Sequence, residues 1–140
     1  MKKFQRVSQK LHKGIKFMPA VDLRKQRGAH GEALVAQYIE REGFKVIARN
    51  YSRRQGEVDL IARRDDMLIF IEVKARTRGL FDLTELVNRT KQRRIIAAAK
   101  SFIIEHAYDT LGYRFDVALI ENLANGAITY IPDAFTEQYY

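Results

Sequence analysis

The chain has 140 residues, 46% of them hydrophobic, which is enough to bury one core and too little for two. It contains no cysteine, which excludes disulfides and cysteine-ligated zinc and suits a reducing cytoplasm. No apolar run approaches the ~18 residues of a membrane span and the first thirty residues hold no uninterrupted hydrophobic leader, so a cytoplasmic protein, neither membrane-inserted nor secreted, is expected.

The net charge of +8 is unevenly placed. Residues 1–27 carry nine Lys/Arg against Asp22 alone, residues 45–94 carry thirteen basic and seven acidic side chains, and residues 101–140 carry one and six. A basic arm joined to a basic half points to a polyanionic partner. The plainer alternative makes the arm a solubilising tail.

Residues 1–22 have weak periodicity and are expected to form a basic, flexible extension, with residues 23–140 as one domain. From about Leu23 to Glu42, Ala29, Ala33, Leu34, Ala36, Tyr38 and Ile39 recur at helical spacing, and Gly43 supplies a stop. Strands are predicted at 45–52, 57–63 and 67–75, rich in Val, Ile, Leu and Phe and separated by the turn sequences RQG and RDD. After a loop containing Gly79, helical spacing resumes from about Thr90 to His106 through Ile95, Ile96, Ala99, Phe102 and Ile103, with Thr90 as the N-cap. A strand over YRFDVALIE and a shorter one around AITYIP follow, and Asn125-Gly126 between them marks a hairpin. His12, His30 and His106 are scattered without metal-ligand spacing and read as surface or cap residues.

Chemistry concentrates in the third strand, FIEVKAR, where Glu72 and Lys74 share a face with Phe70. If the second and third strands turn at Asp65-Asp66 with Arg64 opposite Met67, Asp59 falls opposite Glu72 and Glu57 opposite Lys74, all on one face. Directly opposed strand residues have Cβ atoms ~4.5–5.5 Å apart, where like charges destabilise a sheet. A hard divalent cation such as Mg²⁺ resolves the conflict by taking both carboxylates as oxygen ligands, and a lysine beside it can position a nucleophile or stabilise a transition state on phosphate. The structural alternative pairs Glu57 with Lys74 and leaves Asp59 and Glu72 to Arg53, Arg54 or Arg76. A slip of one residue in register would dismantle the cluster.

The string GEVDLIARRDDMLIFIEVKAR resembles the Asp…Glu-x-Lys signature of restriction-endonuclease-like nucleases. With RGAHGEALVAQYIEREGF before it, RNYSRRQGEVDLI within it and KQRRIIAAAKSFI after it, the stretch from about 27 to 133 resembles the bacterial YraN-like family, predicted nucleases distantly related to archaeal Holliday-junction resolvases. The resemblance implies an α/β fold with an αβββαβ core, a mixed central sheet flanked by helices, so that residues 23–140 form a single nuclease-like domain. It also implies Asp59, Glu72 and Lys74 as the catalytic acid, acid and lysine. Glu32 on the first helix corresponds to an additional metal-binding glutamate, so Asp59, Glu72 and Glu32 are the expected ligands of Mg²⁺ or Mn²⁺. Gln92 corresponds to a site-lining glutamine. Glu57 belongs to the family's Gly-Glu-x-Asp string.

Arg53, Arg54, Arg76, Arg78, Lys91, Arg93 and Arg94 flank this cluster and are the expected phosphate contacts, with the helix start near Arg93 and Arg94 facing phosphate as well. No base-reading motif is present, so recognition by shape is expected, of DNA more than RNA. Tyr51 and Phe81 could stack on bases, though core or rim packing is the expected role. By analogy with resolvases that cut two strands symmetrically, a homodimer is expected. The leading expectation is a metal-dependent endonuclease acting on DNA, with branched DNA as a candidate substrate. The alternatives are a catalytically silent module that keeps the nuclease fold and binds DNA or RNA, and an interaction protein whose acidic C-terminal part meets a basic partner.

Overall fold

A computed structural model of the chain describes residues 22–75 and 83–137. The expected flexible arm, Arg76, Arg78, the Gly79 loop and Phe81 lie outside the described residues. The described elements are α1 (Leu23–Arg41), β1 (Lys45–Arg53), β2 (Gly56–Arg64), β3 (Met67–Ala75), α2 (Leu83–Leu86), α3 (Arg89–Glu105), β4 (Gly112–Asn122) and β5 (Ala127–Phe135). The five strands form one mixed sheet in chain order, antiparallel except for the parallel β3–β4 pair that brackets α3. This α/β arrangement is consistent with a restriction-endonuclease-like core. No helix among the described residues is long and apolar enough to cross a membrane.

Helix α1 starts where the Asp22 carboxylate accepts the Arg24 N–H at 3.0 Å and stops before Gly43, whose φ of +85° an L-residue rarely adopts. It buries Gly31, Val35, Ala36 and Ile39 at helical spacing against one face of the sheet, with Leu60, Ala62, Ile69, Ile71, Ala118 and Ile120 beneath. On the opposite face α3 buries Ile95, Ala98, Ala99 and Phe102 against Val58, Ile61, Leu68, Phe70 and Val117. Covering both faces of β3 explains its near-continuous apolar run, since a one-sided strand would alternate.

Three sequence expectations need correction. The N-cap of α3 is Asn88, whose side-chain oxygen accepts the Lys91 N–H at 2.9 Å, and Thr90 lies inside the first turn. Asn and Thr are both good caps, and the more upstream one holds the extended φ/ψ. The short helix α2 was not anticipated, because four residues carry no periodic signal. The last strand runs to Phe135, beyond AITYIP; the hairpin expected at Asn125-Gly126 is present, as a four-residue turn over 123–126 in which Asn122 and Asn125 side chains accept the Ala124 and Ala127 N–H groups.

Gly56 sets how α3 lies on β2. A Cβ built there would come within 1.9 Å of the Arg94 carbonyl oxygen, an approach that only glycine permits. Gly56→Ala is therefore expected to force the helix off the strand, at roughly 1–3 kcal/mol, measured as a lower midpoint in denaturant unfolding.

The buried Asp116 accepts from Arg114 Nε at 3.0 Å, from the Asp133 N–H at 2.9 Å and from the Tyr130 hydroxyl. It sits at a register shift between Phe115 and Val117, so its carboxylate satisfies donors that the irregular ladder leaves open. This charge belongs to the fold. His106 likewise acts as the C-cap residue of α3, its ring stacked 4.0 Å from Phe102.

Candidate active site

Along β3, alternation sends Phe70 into the core beneath α3 and places Glu72 and Lys74 further along the same side. Glu72 is only 3% exposed. Its Oε1 lies 3.5 Å from Lys74 Nζ and 3.7 Å from Lys91 Nζ. Among the described residues, its Oε2 is buried with no hydrogen-bond partner. Burial and then the negative charge of Asp59 push the Glu72 carboxyl up to about 7, against the pull of Lys91 and Lys74.

The β2–β3 ladder has the expected register, from Arg64–Met67 to Leu60–Ile71, and the recorded pairing ends there. Asp59 is therefore not a ladder partner of Glu72, as the register had implied. Its Oδ2 accepts the Val73 N–H at 2.8 Å, so the side chain takes over a β3 donor that a continued ladder would have used. The two carboxylates nevertheless stay close, near enough for the negative charge of Asp59 to raise Glu72.

Glu57 also departs from expectation. Among the described residues, neither the ladder nor an ion pair joins it to Lys74. Its Oε1 accepts from Lys91 Nζ at 3.2 Å, because α3 crosses the start of β2 at Gly56 and brings its first turn within reach. Lys91, expected among the phosphate contacts, thus stands between two site carboxylates. Burial disfavours its ammonium, but Glu72, Glu57 and Asp59 outweigh that and its pKa is raised.

Glu32 comes from α1 and accepts from Asn50 Nδ2 at 3.0 Å. Partial burial raises its pKa, the Asn50 bond and Arg49 oppose this, and Asp59 and Glu57 add to it. Asn50 itself has φ +49°, a left-handed conformation that Asn tolerates better than most residues. A polar residue inside the strand sequence ARNYS was the available signal for it. Among the described residues, no three His, Cys, Asp or Glu side chains stand close enough together to form a ready-made metal-ligand group. Glu32 is held by Asn50 instead of being drawn into the Asp59–Glu72 pair.

The remaining expected residues separate by environment. Gln92 donates to the Val87 carbonyl at 2.9 Å and lines a cleft of about 290 Å³ with Arg89, Arg93 and Lys100. Arg53 forms a two-pronged pair with Glu105 at 2.7 and 2.8 Å and lies 4.2 Å over the Tyr51 ring, so it ties β1 to the end of α3. Tyr51 is core, edge-on to Phe102, as its packing reading anticipated. Arg54, Arg93 and Arg94 are exposed.

Residues 31–120, which enclose Glu32, Asp59, Glu72, Lys74 and Lys91, match the model of the family described as "Uncharacterised protein family UPF0102". The chain belongs to the UPF0102 family, the YraN-like family of the sequence resemblance. It is 44% identical over 102 residues to a UPF0102 protein of Synechococcus sp. (strain JA-3-3Ab), covering 71% of this chain and 77% of the relative. A UPF0102 protein of Rhodopseudomonas palustris is 39% identical over 109 residues, covering 77% and 82%. One of Treponema pallidum (strain Nichols) is 36% identical over 116 residues, covering 79% and 92%. The UPF0102 match ends at Ile120, so β5 lies beyond it.

Proposed function

We propose that this UPF0102 protein is a metal-dependent endonuclease that hydrolyses phosphodiester bonds in DNA. The observation that carries the proposal is the Glu72 carboxylate, buried with one oxygen unpartnered beside a second negative charge and a half-exposed lysine. A fold alone has little use for such a group, since a buried carboxylate oxygen left without a partner costs stability. Perturbed groups of this kind gather at functional sites.

The donor set fits a hard cation. Asp59 and Glu72 would hold Mg²⁺ or Mn²⁺, with Glu32 in support from α1, and ions of this kind commonly take one or two carboxylates and complete their shell with water and substrate phosphate. When bound, the ion supplies a Lewis acid for the phosphoryl oxygen and lowers the pKa of water. The chain's own residues do the rest. The Val73 N–H fixes the Asp59 carboxylate. Lys74, its side chain 37% exposed, can donate to the attacking water or to a phosphoryl oxygen and stabilise the charge that builds there. Water adds to phosphorus as the bond to the leaving oxygen breaks in line, and that oxygen takes up a proton.

Exposed Arg54, Arg93 and Arg94 would contact the phosphate backbone. Arg53, committed to Glu105, would not. Replacing Arg54, Arg93 and Arg94 together with alanine is expected to weaken DNA binding. It should also flatten the plot of log affinity against log salt by about 0.9 per lost phosphate contact, measured by fluorescence anisotropy. A homodimer acting on branched DNA is the finer form of this proposal and rests on the resemblance to resolvases, while a cytoplasmic location rests on the cysteine-free composition.

Lys91 favours a second reading. Its bridge between Glu57 and Glu72 partly neutralises the acids with an internal cation, which would let the fold persist as a catalytically silent module that binds nucleic acid. Incubating the protein with Mg²⁺ or Mn²⁺ and duplex, single-stranded and four-way-junction DNA separates the two. Cleavage of any of them supports the nuclease, and metal-independent binding without cleavage supports the silent module.

A further inference from the structure

Lys91 stands in an unusual place. It lies in the first turn of α3, a turn with no acidic residue, where the helix dipole disfavours a cation. Its backbone N–H is fixed by the Asn88 cap at 2.9 Å, yet its Nζ reaches 3.2 Å from Glu57 Oε1 and 3.7 Å from Glu72 Oε1. Lys74, on the strand itself, meets Glu72 but makes no recorded pair with Glu57 among the described residues. Lys91 is therefore the ammonium that joins the two acids across the β2–α3 contact. Its side chain is 25% exposed and that of Glu57 53%, so the outer half of the bridge is solvated and can break without disturbing the core. Four methylenes let the ammonium swing away while the capped helix stays in place.

Building on the metal-dependent reading above, we propose that the Lys91 ammonium is an internal stand-in for the divalent ion. It occupies the cation position at Glu72 in the metal-free protein and must leave when metal binds. A divalent ion held by Glu72 would bring like charge close to Nζ in a poorly solvated setting, where repulsion is strong. Lys91 thus stabilises the metal-free site and weakens metal binding to it. This differs from a lysine that only contacts substrate, which would leave metal affinity unchanged in the absence of DNA.

The test is calorimetric titration of Mn²⁺ into the full chain at about pH 8, for wild type, Lys91→Met and Lys91→Arg, without nucleic acid. Lys91→Met is expected to bind Mn²⁺ at least about tenfold more tightly than wild type, and to melt at a lower temperature than wild type in chelator. Lys91→Arg, which keeps the charge, is expected to stay near wild type. Should Lys91→Met not fold, Lys91→Gln replaces it in the same titration. Equal or weaker Mn²⁺ affinity in the neutral variant overturns the proposal.

The outcomes also separate it from the nuclease reading. Wild type that binds Mn²⁺ more weakly than Lys91→Met, and cuts no DNA, sinks the nuclease and leaves the stand-in role. Metal binding gained only on removal of Lys91 supports the stand-in role. No binding in either protein overturns both.

Discussion

Asp59→Asn is expected to lower Mg²⁺- or Mn²⁺-dependent DNA cleavage by about a thousandfold or more while leaving the fold in place. Asparagine has the shape of aspartate and keeps an oxygen to accept the Val73 N–H that Asp59 holds at 2.8 Å. What it loses is the charge, and with it a carboxylate ligand for a hard cation. Removing that charge also relieves Glu72, which Asp59 pushes upward, so thermal stability should hold or rise as activity falls. Initial cleavage rates together with circular-dichroism melts measure both quantities. Activity within tenfold of wild type would remove Asp59 from the catalytic machinery.

Glu72→Gln should make the metal-free protein more stable above neutral pH and remove much of its pH dependence. Below the unfolded value of 4.5, Glu72 is protonated in both states and contributes no penalty. Between 4.5 and about 7 the unfolded chain releases the proton and the folded chain keeps it, so stability falls as pH rises, levelling off above about 7. The loss is on the order of 3 kcal/mol, and at 3% exposure solvent does little to screen it. Glutamine has no such transition. In chelator near pH 8 the variant should therefore unfold at higher denaturant than wild type, and at about pH 4 the gap should close. A divalent ion should reverse the order, because saturation at about a thousand times Kd returns ~4.1 kcal/mol to the protein that binds it, more than the penalty. A variant less stable than wild type in chelator near pH 8 would show that the Glu72 charge supports the fold.

The same stability argument explains why part of the site was legible in the sequence. Glu72 and Lys74 break the apolar run of β3, and the two-residue period fixes their shared side without tertiary information. The Asp65-Asp66 turn gave the register correctly as far as Leu60–Ile71. Where the strands stop pairing, a register sum has no force, and the Asp59 bond to Val73 could not be read from it.

Lys91 illustrates a different limit. In sequence it is one of the basic residues in KQRR, and only the close approach of α3 at Gly56 brings it to Glu57 and Glu72. Arg53 stood in the same class of flanking bases, but Glu105, 52 residues away, claims it. Long-range pairing partners of surface charges carry no periodic signal. Asp116 did leave one, an acid inside the apolar strand RFDVALI, whose meaning became visible only with the β4–β5 register shift it satisfies. The layered α/β order was the most readable feature, because burial of α1 and α3 on opposite faces imposes the apolar spacing that sequence periodicity reports.

The proposed cutting of phosphodiester bonds by the Asp59–Glu72 cluster requires a bound divalent ion. The most direct measurement holds the full chain with end-labelled four-way-junction and duplex DNA in chelator, then adds excess Mn²⁺ and follows strand length with time. Strands intact in chelator and shortened after Mn²⁺, with wild type but not Asp59→Asn, are the predicted result. DNA that stays intact after Mn²⁺ under conditions where calorimetry shows the ion bound, or equal cutting by Asp59→Asn, would contradict it.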